Sequence, residues 1–352
     1  MKKFKVILIL AVFIFSFVSI FVCYDCVAKG VSSGLYLCAD VIIPSFFPVL
    51  CITSFLSHSG VINVIGRYFD RASKTLFNMS GYFIPVFLLS LISGYPVGAC
   101  ISQTMYKNGR ISLESRNNMS AVCCSAGPSF LLLAVGIGIL NSYECGVALL
   151  VSHLLASIIV AIIVSRFFTY KYFFEKQKNE VFVADALVLG VGSACNSVIS
   201  ICAYTVLFSA VVNVISKYLR ATVFYLPVVS LLEVTNAVYA LSSQGVPLAV
   251  LSAVIGFGGF SVIFQISSAL GNDRPPISVI ILIRILHAAV SYVICSITVN
   301  FFDVTVPVFN NSSVSKVYTS ENFLFSSSLM ILLIVFLSFF NKALHHEKIS
   351  YF

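Results

Sequence analysis

Apolar runs of about 20 residues recur from one end of this chain to the other, and each is long enough to cross a lipid bilayer as a helix. Of the 352 residues, 59% are hydrophobic and only 10% are charged, and the mean hydropathy is +1.02. So few charged residues cannot cover the surface of soluble domains of this total length. The sequence therefore predicts an all-α polytopic membrane protein whose main partner is the lipid bilayer.

The distribution of Lys and Arg sets the predicted topology, because the cytoplasmic loops of membrane proteins carry an excess of these residues. The net charge of +8 lies mostly in short loops, which indicates membrane orientation and argues against nucleic-acid binding. We predict eight transmembrane helices and two re-entrant hairpins, with both termini in the cytoplasm. The predicted helices cover residues 4–23, 34–58, 119–140, 146–168, 184–215, 246–270, 277–299 and 323–340, and the hairpins cover 82–106 and 223–243.

The stretch Ser93-Gly-Tyr-Pro-Val-Gly-Ala-Cys100 is the reason for the first hairpin. If residues 82–106 crossed the membrane straight, two groups of basic residues would change sides, and the second group would lie outside. A turn within the membrane at Gly94-Tyr-Pro-Val-Gly98 keeps both groups in the cytoplasm. The two groups are Lys107, Arg110 and Arg116, and Lys171, Lys176 and Lys178. Lys217 and Arg220, on the outer side, are the feature that argues against this topology.

The two halves of the chain carry similar motifs in the same order. The sequence Ala126-Gly-Pro-Ser-Phe130 has a counterpart in Phe257-Gly-Gly-Phe260, and each is followed by ten more residues of an apolar run. The pair His153 and Ser157 recurs as His287 and Ser291, with the same spacing. Upstream, the LISGYP and LLEVTN stretches occupy equivalent places. Because the first copy starts outside and the second inside, we predict an inverted repeat with broken helices, as in many secondary transporters.

This pattern divides the chain into six segments. The first apolar run is interpreted as a retained helix, and the alternative is a signal peptide cleaved near residues 26–28. The predicted segments are an N-terminal transmembrane helix (1–30), a first repeat (31–170), a cytoplasmic basic loop (171–183), a second, inverted repeat (184–300), an extracytoplasmic loop (301–322), and a C-terminal transmembrane helix with a cytoplasmic tail (323–352).

The helix breaks predict the position of a binding site. Within hydrocarbon, unpaired backbone groups are tolerated only where they are buried in protein or line a polar cavity. Half-helices that begin near Ser129 and Phe260 would direct their N–H groups and positive dipole ends to the membrane midplane from opposite sides. Such a centre suits an anionic or carbonyl-bearing solute. The alternative is that these glycines serve close helix packing and these prolines produce kinks.

Five ionisable residues fall at membrane depth: Asp40, His153, Glu233, Arg284 and His287. Each is a functional candidate, because a lone charge that faces lipid is costly. Arg284 is the best candidate for binding a carboxylate, and the alternative is that it extends toward the cytoplasmic interface. Glu233 could take a coupling proton or sodium ion, or pair with Arg284. The two histidines are either structural or part of a proton relay. Neutral hydrogen bonds would come from Asn196, Asn236 and Gln265.

The motifs SGYPVGA, SAGPSF, LLEVTNAV, GFGGFSVIFQISSAL and RILHA resemble those of the nucleoside-recognition, or Gate, domain membrane proteins, in particular sporulation integral membrane proteins of the YlbJ type. The resemblance covers about residues 31–300 and implies a transporter in the membrane of a spore-forming bacterium, with dipicolinic acid as one expected substrate. Motif matching carries over a set of expected site residues: Gly94, Pro96, Gly98, Gly127, Pro128, Ser129, Glu233, Asn236, Gly258, Gly259 and Gln265. The first break carries Ser93 where a charged residue is expected, which leaves the substrate open.

Two classes of function compete. The first is a transporter of a small organic anion by alternating access, with nucleosides or other small solutes as alternative substrates. The second is an intramembrane enzyme or a scaffold for a membrane complex. The chain has no H-E-x-x-H zinc motif, no G-x-S-x-G elbow and no P-loop, so we expect neither enzyme activity, nor a metal site, nor a resident cofactor. The oligomeric state is left open.

Overall fold

The computed structural model describes residues 21–167 and 183–301, together with Ile7, Leu10, Ile14 and Val18. Within these residues the chain is helical, without a β-strand. Four predictions fall wholly or mostly outside them: the first transmembrane helix, the basic loop 171–183, the extracytoplasmic loop 301–322 and the last helix in 323–352.

The helices follow one another in two series that we number in chain order. The first series comprises α1 (Tyr24–Leu37), the π-helical turn π1 (Cys38–Ile42), α2 (Ile43–His58), α3 (Val61–Phe77), α4 (Phe83–Ser93), α5 (Val97–Lys107), α6 (Leu113–Val122), the π-helix π2 (Ser129–Ile139) and α7 (Tyr143–Ser165). The second comprises α8 (Val183–Leu219), α9 (Tyr225–Leu232), α10 (Val234–Ser242), α11 (Leu248–Phe257), α12 (Gly259–Leu270) and α13 (Ile277–Thr298), which ends in a 3₁₀ turn (Val299–Phe301).

Four helical segments of the described chain are long and apolar enough to cross a membrane: α7, α8, α11 with α12, and α13 with its 3₁₀ turn. A fifth span results if α1–π1 and α2, which meet at a bend of 58°, are taken together. These segments confirm a polytopic, all-helical membrane protein. The bent span begins at Tyr24, ten residues before the predicted start at Gly34.

The predicted span 119–140 is not one helix. Helix α6 ends at Val122, an irregular stretch follows, and π2 begins only at Ser129. The break has a local cause, because Pro128 lacks an N–H group and disfavours helical backbone at Gly127, the residue before it. The segment that we predicted to run outward is therefore an 11-residue π-helix preceded by a polar helix, and its direction stays a prediction.

Both predicted hairpin segments contain a helix break where the sequence places one. Helices α4 and α5 have 11 residues each and are separated by Gly94-Tyr-Pro96. Helices α9 and α10 have 8 and 9 residues and are separated by Glu233 alone. A helix of 11 residues is about 16 Å long, roughly half the hydrocarbon thickness. Their re-entry into the membrane stays a prediction, but none of these helices is long enough to cross it.

Helices in equivalent places of the two series pack reciprocally. Helix α5 contacts α12, and its counterpart α10 contacts π2; α6 contacts α13, and its counterpart α11 contacts α7. The equivalent helices α7 and α13 also pack on each other. Two copies related by a two-fold axis show this relation, in which partners exchange roles. The bounds and the opposite orientation of the two repeats stay predictions.

Helix α1 packs against α8 through two glycines four residues apart. A Cβ atom on Gly30 would lie 2.6 Å from the Cα of Ala210, and one on Gly34 would lie 2.8 Å from the Cα of Val206. Backbone atoms cannot move aside as a flexible side chain can. The small-x-x-x-small spacing therefore allows the two helix backbones to approach closely.

We expect Gly30→Leu to lower the stability of the purified protein in detergent by about 1–3 kcal/mol, because the new side chain forces α1 away from α8. The measurement is the temperature at which half of the protein is lost from the monodisperse peak after heating. Gly192→Leu in α8 is the matched control, since a Cβ atom there meets nothing within 4 Å. Equal loss in both variants would contradict the proposed contact.

Candidate functional site

The helix breaks meet in pairs, each within one repeat. A Cβ atom on Gly94 would lie 2.8 Å from the backbone nitrogen of Gly127, and one on Gly259 would lie 2.9 Å from the carbonyl oxygen of Leu232. Gly94 and Gly259 have φ angles of +81° and +76°, which favour glycine. The α4–α5 break therefore abuts the start of π2, and the α9–α10 break abuts the start of α12.

Gly98 fixes the approach of α5 to the end of α6. A Cβ atom on it would lie 1.9 Å from the carbonyl oxygen of Cys123, so no larger residue fits without backbone movement. Pro96, before it, is the N-cap residue of α5, and Ser93 is the buried last residue of α4. The predicted glycines of the first hairpin thus serve a close helix contact at the edge of the site.

The two pairs of breaks enclose a cavity of about 50 Å³. Its walls are apolar and aromatic, with a few hydroxyl, amide and carboxyl groups. The polar lining residues are Tyr95, Ser129, Thr205, Glu233, Thr235, Ser261 and Gln265. The apolar lining includes Phe46, Phe130, Ile201, Val234 and Val262. A concave, largely apolar site with a few polar groups is typical of small-molecule binding.

The first residues of two half-helices reach this cavity from the two series. Ser129 begins π2, and Ser261 is the third residue of α12; both line the cavity. Gly258, with a φ of +82°, ends α11 and allows the chain to restart as α12. Two half-helix N-termini, one from each series, therefore lie at one cavity, and their approach to the membrane midplane from opposite sides stays a prediction.

Four of the predicted site residues line the cavity directly: Gly127, Ser129, Glu233 and Gln265. Gln265 donates its amide to the hydroxyl of Ser261 at 3.2 Å, which orients it along α12. Asn196 lies elsewhere, exposed on α8, and Asp40 lies in π1 without lining the cavity. The remaining predicted residues lie at the breaks or behind the cavity wall.

Glu233 is the N-cap residue of α10 and is only 3% exposed. Its carboxylate accepts hydrogen bonds from the backbone N–H groups of Thr235 and Asn236, and from the side-chain amide of Asn236. Among the described residues it forms no ion pair with Arg284, so the structure does not show the pairing that was one of the two alternatives, and the coupling role stays a prediction. The carboxylate instead compensates the positive end of a half-helix.

Arg284 is 2% exposed and does not extend to the cytoplasmic interface, so that alternative is wrong. Its guanidinium donates to the carbonyl oxygens of Gly256 and Phe257 at the end of α11, and to that of Cys124 after α6. It also lies 5.7 Å from the ring centroid of Tyr95. One cation thus satisfies carbonyl groups that two broken helices leave unpaired. Its role as a carboxylate ligand stays a prediction.

Arg116 has a similar role that the sequence did not reveal. We placed it in a basic loop, but the structure buries it completely. Its guanidinium donates to the carbonyl oxygens of Leu270 and Asp273, and to the side chains of Gln103 and Asn117. It therefore ties α6 to the end of α12 across 154 residues of sequence.

The two predicted histidines contact each other instead of lining the cavity. His153 of α7 and His287 of α13 have ring centroids 5.5 Å apart, and both are buried. The Nε2 atom of His153 lies 3.4 Å from the hydroxyl of Ser252, whereas the Nε2 atom of His287 has no hydrogen-bond partner among the described residues. The two histidines of the matching H-x-x-x-S motifs thus meet where α7 crosses α13. The structural role and the relay role both stay predictions.

Sequence reasoning missed three polar cavity residues: Tyr95, Thr205 and Thr235. Tyr95 lies inside the Gly-Tyr-Pro break, so its position could have indicated the site. It is 8% exposed, and its hydroxyl has no hydrogen-bond partner in the part of the chain that the structure describes. Thr205 lies in the middle of the long helix α8, where no local signal marks it.

We expect Arg284→Met to destabilise the protein by roughly 2–4 kcal/mol, because three buried carbonyl groups lose a charged donor while the side-chain volume is retained. The measurement is thermal unfolding in detergent. Arg274→Met is the matched control, since Arg274 is exposed and its guanidinium donates to the carbonyl of Gly271 at 3.4 Å. An Arg284 variant as stable as this control would show that the three hydrogen bonds contribute little.

Comparison with known proteins gives one informative relative. The sporulation integral membrane protein YlbJ of Bacillus subtilis (strain 168) is 21% identical over 315 residues, which cover 77% of this chain and 77% of the relative. No protein-family model matches the chain, so the Gate-domain part of the resemblance stays a prediction. No solved structure matches it either. The similarity to YlbJ-type integral membrane proteins, predicted from the motifs, is confirmed by this relative.

Proposed function

We propose that this membrane protein is a secondary transporter, which carries a small organic anion by alternating access at the cavity between its broken helices. A proton or sodium ion would drive the movement. The proposal includes neither an enzyme activity nor a resident cofactor. It places the protein in the cell membrane of a spore-forming bacterium, with both termini in the cytoplasm.

The observation that carries the proposal is the meeting of four helix breaks around one cavity. Each repeat supplies two breaks, and in each repeat the two abut through a glycine, Gly94 with Gly127 and Leu232 with Gly259. Close packing alone would not require the breaks to surround a common space with polar lining. Discontinuous helices around a midplane site are the construction of many secondary transporters.

The size of the cavity fits a closed state of a transporter. A volume of about 50 Å³ holds a few water molecules. Pockets for drug-sized ligands have roughly 300–1,000 Å³, so a solute as large as an aromatic dicarboxylate requires the walls to move apart. The contacts between breaks at Gly94 and Gly259 are backbone contacts, and we propose that the breaks separate there when the solute enters.

The role in sporulation is proposed from the relative, which is named a sporulation integral membrane protein. Dipicolinic acid is the substrate we propose first, because it is a small aromatic dicarboxylic acid. The aromatic walls formed by Phe46, Tyr95 and Phe130 suit its ring, and the N–H groups of half-helices suit its carboxylates. The membrane of the mother cell or of the forespore would be its location.

The proposal is tested with the purified full chain in liposomes loaded with unlabelled dipicolinate. We expect liposomes that contain the protein to accumulate labelled dipicolinate by exchange. Liposomes without the protein should accumulate none. Labelled nucleosides are tested in parallel, because the resemblance names nucleosides as alternative substrates. Uptake of nucleosides alone would replace the substrate. Uptake of neither by protein shown to be folded would favour the scaffold alternative.

A second test concerns Tyr95. If its unpartnered hydroxyl donates to a bound carboxylate, Tyr95→Phe should raise the Kd for dipicolinate by about tenfold or more. Tyr143→Phe is the matched control, since Tyr143 is exposed at the start of α7. An unchanged Kd in the Tyr95 variant would mean that the hydroxyl does not contact the solute.

A further inference from the structure

The N-terminus of α10 is occupied by a carboxylate of its own chain. The Oε1 atom of Glu233 accepts the backbone N–H of Thr235 at 3.1 Å, and Oε2 accepts the backbone N–H of Asn236 at 2.7 Å. The side-chain amide of Asn236 donates to Oε2 at 2.8 Å. Three donors therefore converge on one carboxylate at the positive end of a helix, which is the arrangement that binds free anions elsewhere.

A fourth donor faces the same cavity. Tyr95 is 92% buried, and its hydroxyl lacks a hydrogen-bond partner in the described chain, which is costly for a buried polar group. In the described lining of the cavity, Glu233 is the one formally charged side chain. Tyr95, Glu233 and Thr235 all line the cavity, so the unpaired hydroxyl and the N-terminus of α10 face the same space, while Asn236 donates to the Glu233 carboxylate from outside the lining.

We propose that the N-terminus of α10 is the carboxylate-binding subsite of the cavity, and that Glu233 leaves it on taking up a proton as the carboxylate of the solute enters. This inference rests on the proposed transport function, and it adds the chemistry of the solute and the identity of the coupling ion. In the loaded state, Thr235, Asn236 and Tyr95 donate to the solute. One proton moves with each carboxylate that takes this place.

Electrostatics requires the exchange. Two carboxylates about 4 Å apart repel by about 4 kcal/mol at an effective dielectric constant of about 20, so an anion cannot settle beside ionised Glu233. Once Glu233 is protonated, its neutral carboxyl group binds the three donors more weakly, so the carboxylate of the solute can replace it. The carboxylate that enters replaces the charge that the proton removed, so the N-terminus of α10 holds one negative charge before and after, and the second carboxylate of dipicolinate lies outside this subsite.

We assign the change of charge to Glu233 after considering the titratable and charged groups around it. The titratable groups that face it are Cys38 from π1 and Tyr95 from the α4–α5 break, and the Arg284 guanidinium lies behind the Tyr95 ring. Cys38 donates to the carbonyl of Cys202 in α8, and the Tyr225 hydroxyl of α9 accepts from Ser216. The lining from π2, α8 and α12 carries hydroxyl and amide groups, and α11 has no titratable residue.

The experiment measures the Kd of labelled dipicolinate for the purified full chain from about pH 5 to about pH 8. For one obligatory proton per carboxylate, the Kd of the wild type rises about tenfold per pH unit on the alkaline side. Glu233→Gln carries a neutral amide at every pH, so its Kd should change less than about threefold over the same range. Glu144→Gln is the matched control, because Glu144 lies in the exposed first turn of α7, and it should keep the slope of the wild type.

A second measurement does not depend on a substituted protein. Dipicolinate is added to the wild type in a weakly buffered solution, and a pH dye reports protons taken up on binding. Uptake of about one proton per bound molecule on the alkaline side supports the proposal. This result stands even where Glu233→Gln fails to fold.

The outcomes separate this inference from the transport function. Binding with a Kd that does not depend on pH, or an unchanged slope in Glu233→Gln, overturns the inference and leaves transport intact. Tighter binding of the neutral solute uridine than of dipicolinate overturns the proposed carboxylate chemistry. Absence of binding and of exchange for both solutes overturns the transport function, and this inference with it.

Discussion

A backbone N–H or C=O group in hydrocarbon must find a partner, and the whole site depends on this requirement. The four breaks leave such groups at the ends of their helices, and two of the chain's charged side chains compensate helix ends of opposite partial charge. Arg284 donates to carbonyl groups at the ends of α6 and α11, while Glu233 accepts N–H groups at the start of α10. The backbone groups at helix ends therefore stabilise both buried charges without a bound solute.

The close approach of the breaks has a second requirement, which is the absence of side chains. Gly94, Gly127 and Gly259 bring backbone against backbone, and Gly98 does the same for α5 and α6. Contacts of this kind have little side-chain surface to interdigitate, so they hold the breaks in place without locking them. The long helices α7, α8 and α13 carry the extensive packing around them.

The sequence predicted the breaks well and their partners poorly. Glycine and proline mark a break locally, so Gly94, Gly127, Glu233 and Gly259 were placed correctly. The partners lie far away in sequence: Arg284 binds the carbonyl of Cys124, and Arg116 that of Leu270. Charge patterns along the chain predicted Arg116 as a loop residue, because they contain no information about which helix ends meet. The start of α1 was missed because Asp25, Lys29 and the serines before Gly34 interrupt the apolar signal there.

The contact between His153 and His287 joins the two halves of the chain at equivalent positions. The two imidazole rings pack against each other. Because protein interiors are close-packed, a change of side-chain volume at one of these positions requires a shift at the other. The energetic effects of substitutions at these two sites are therefore expected to depend on each other. The crossing of α7 and α13 thus couples the two series of helices at one pair of side chains.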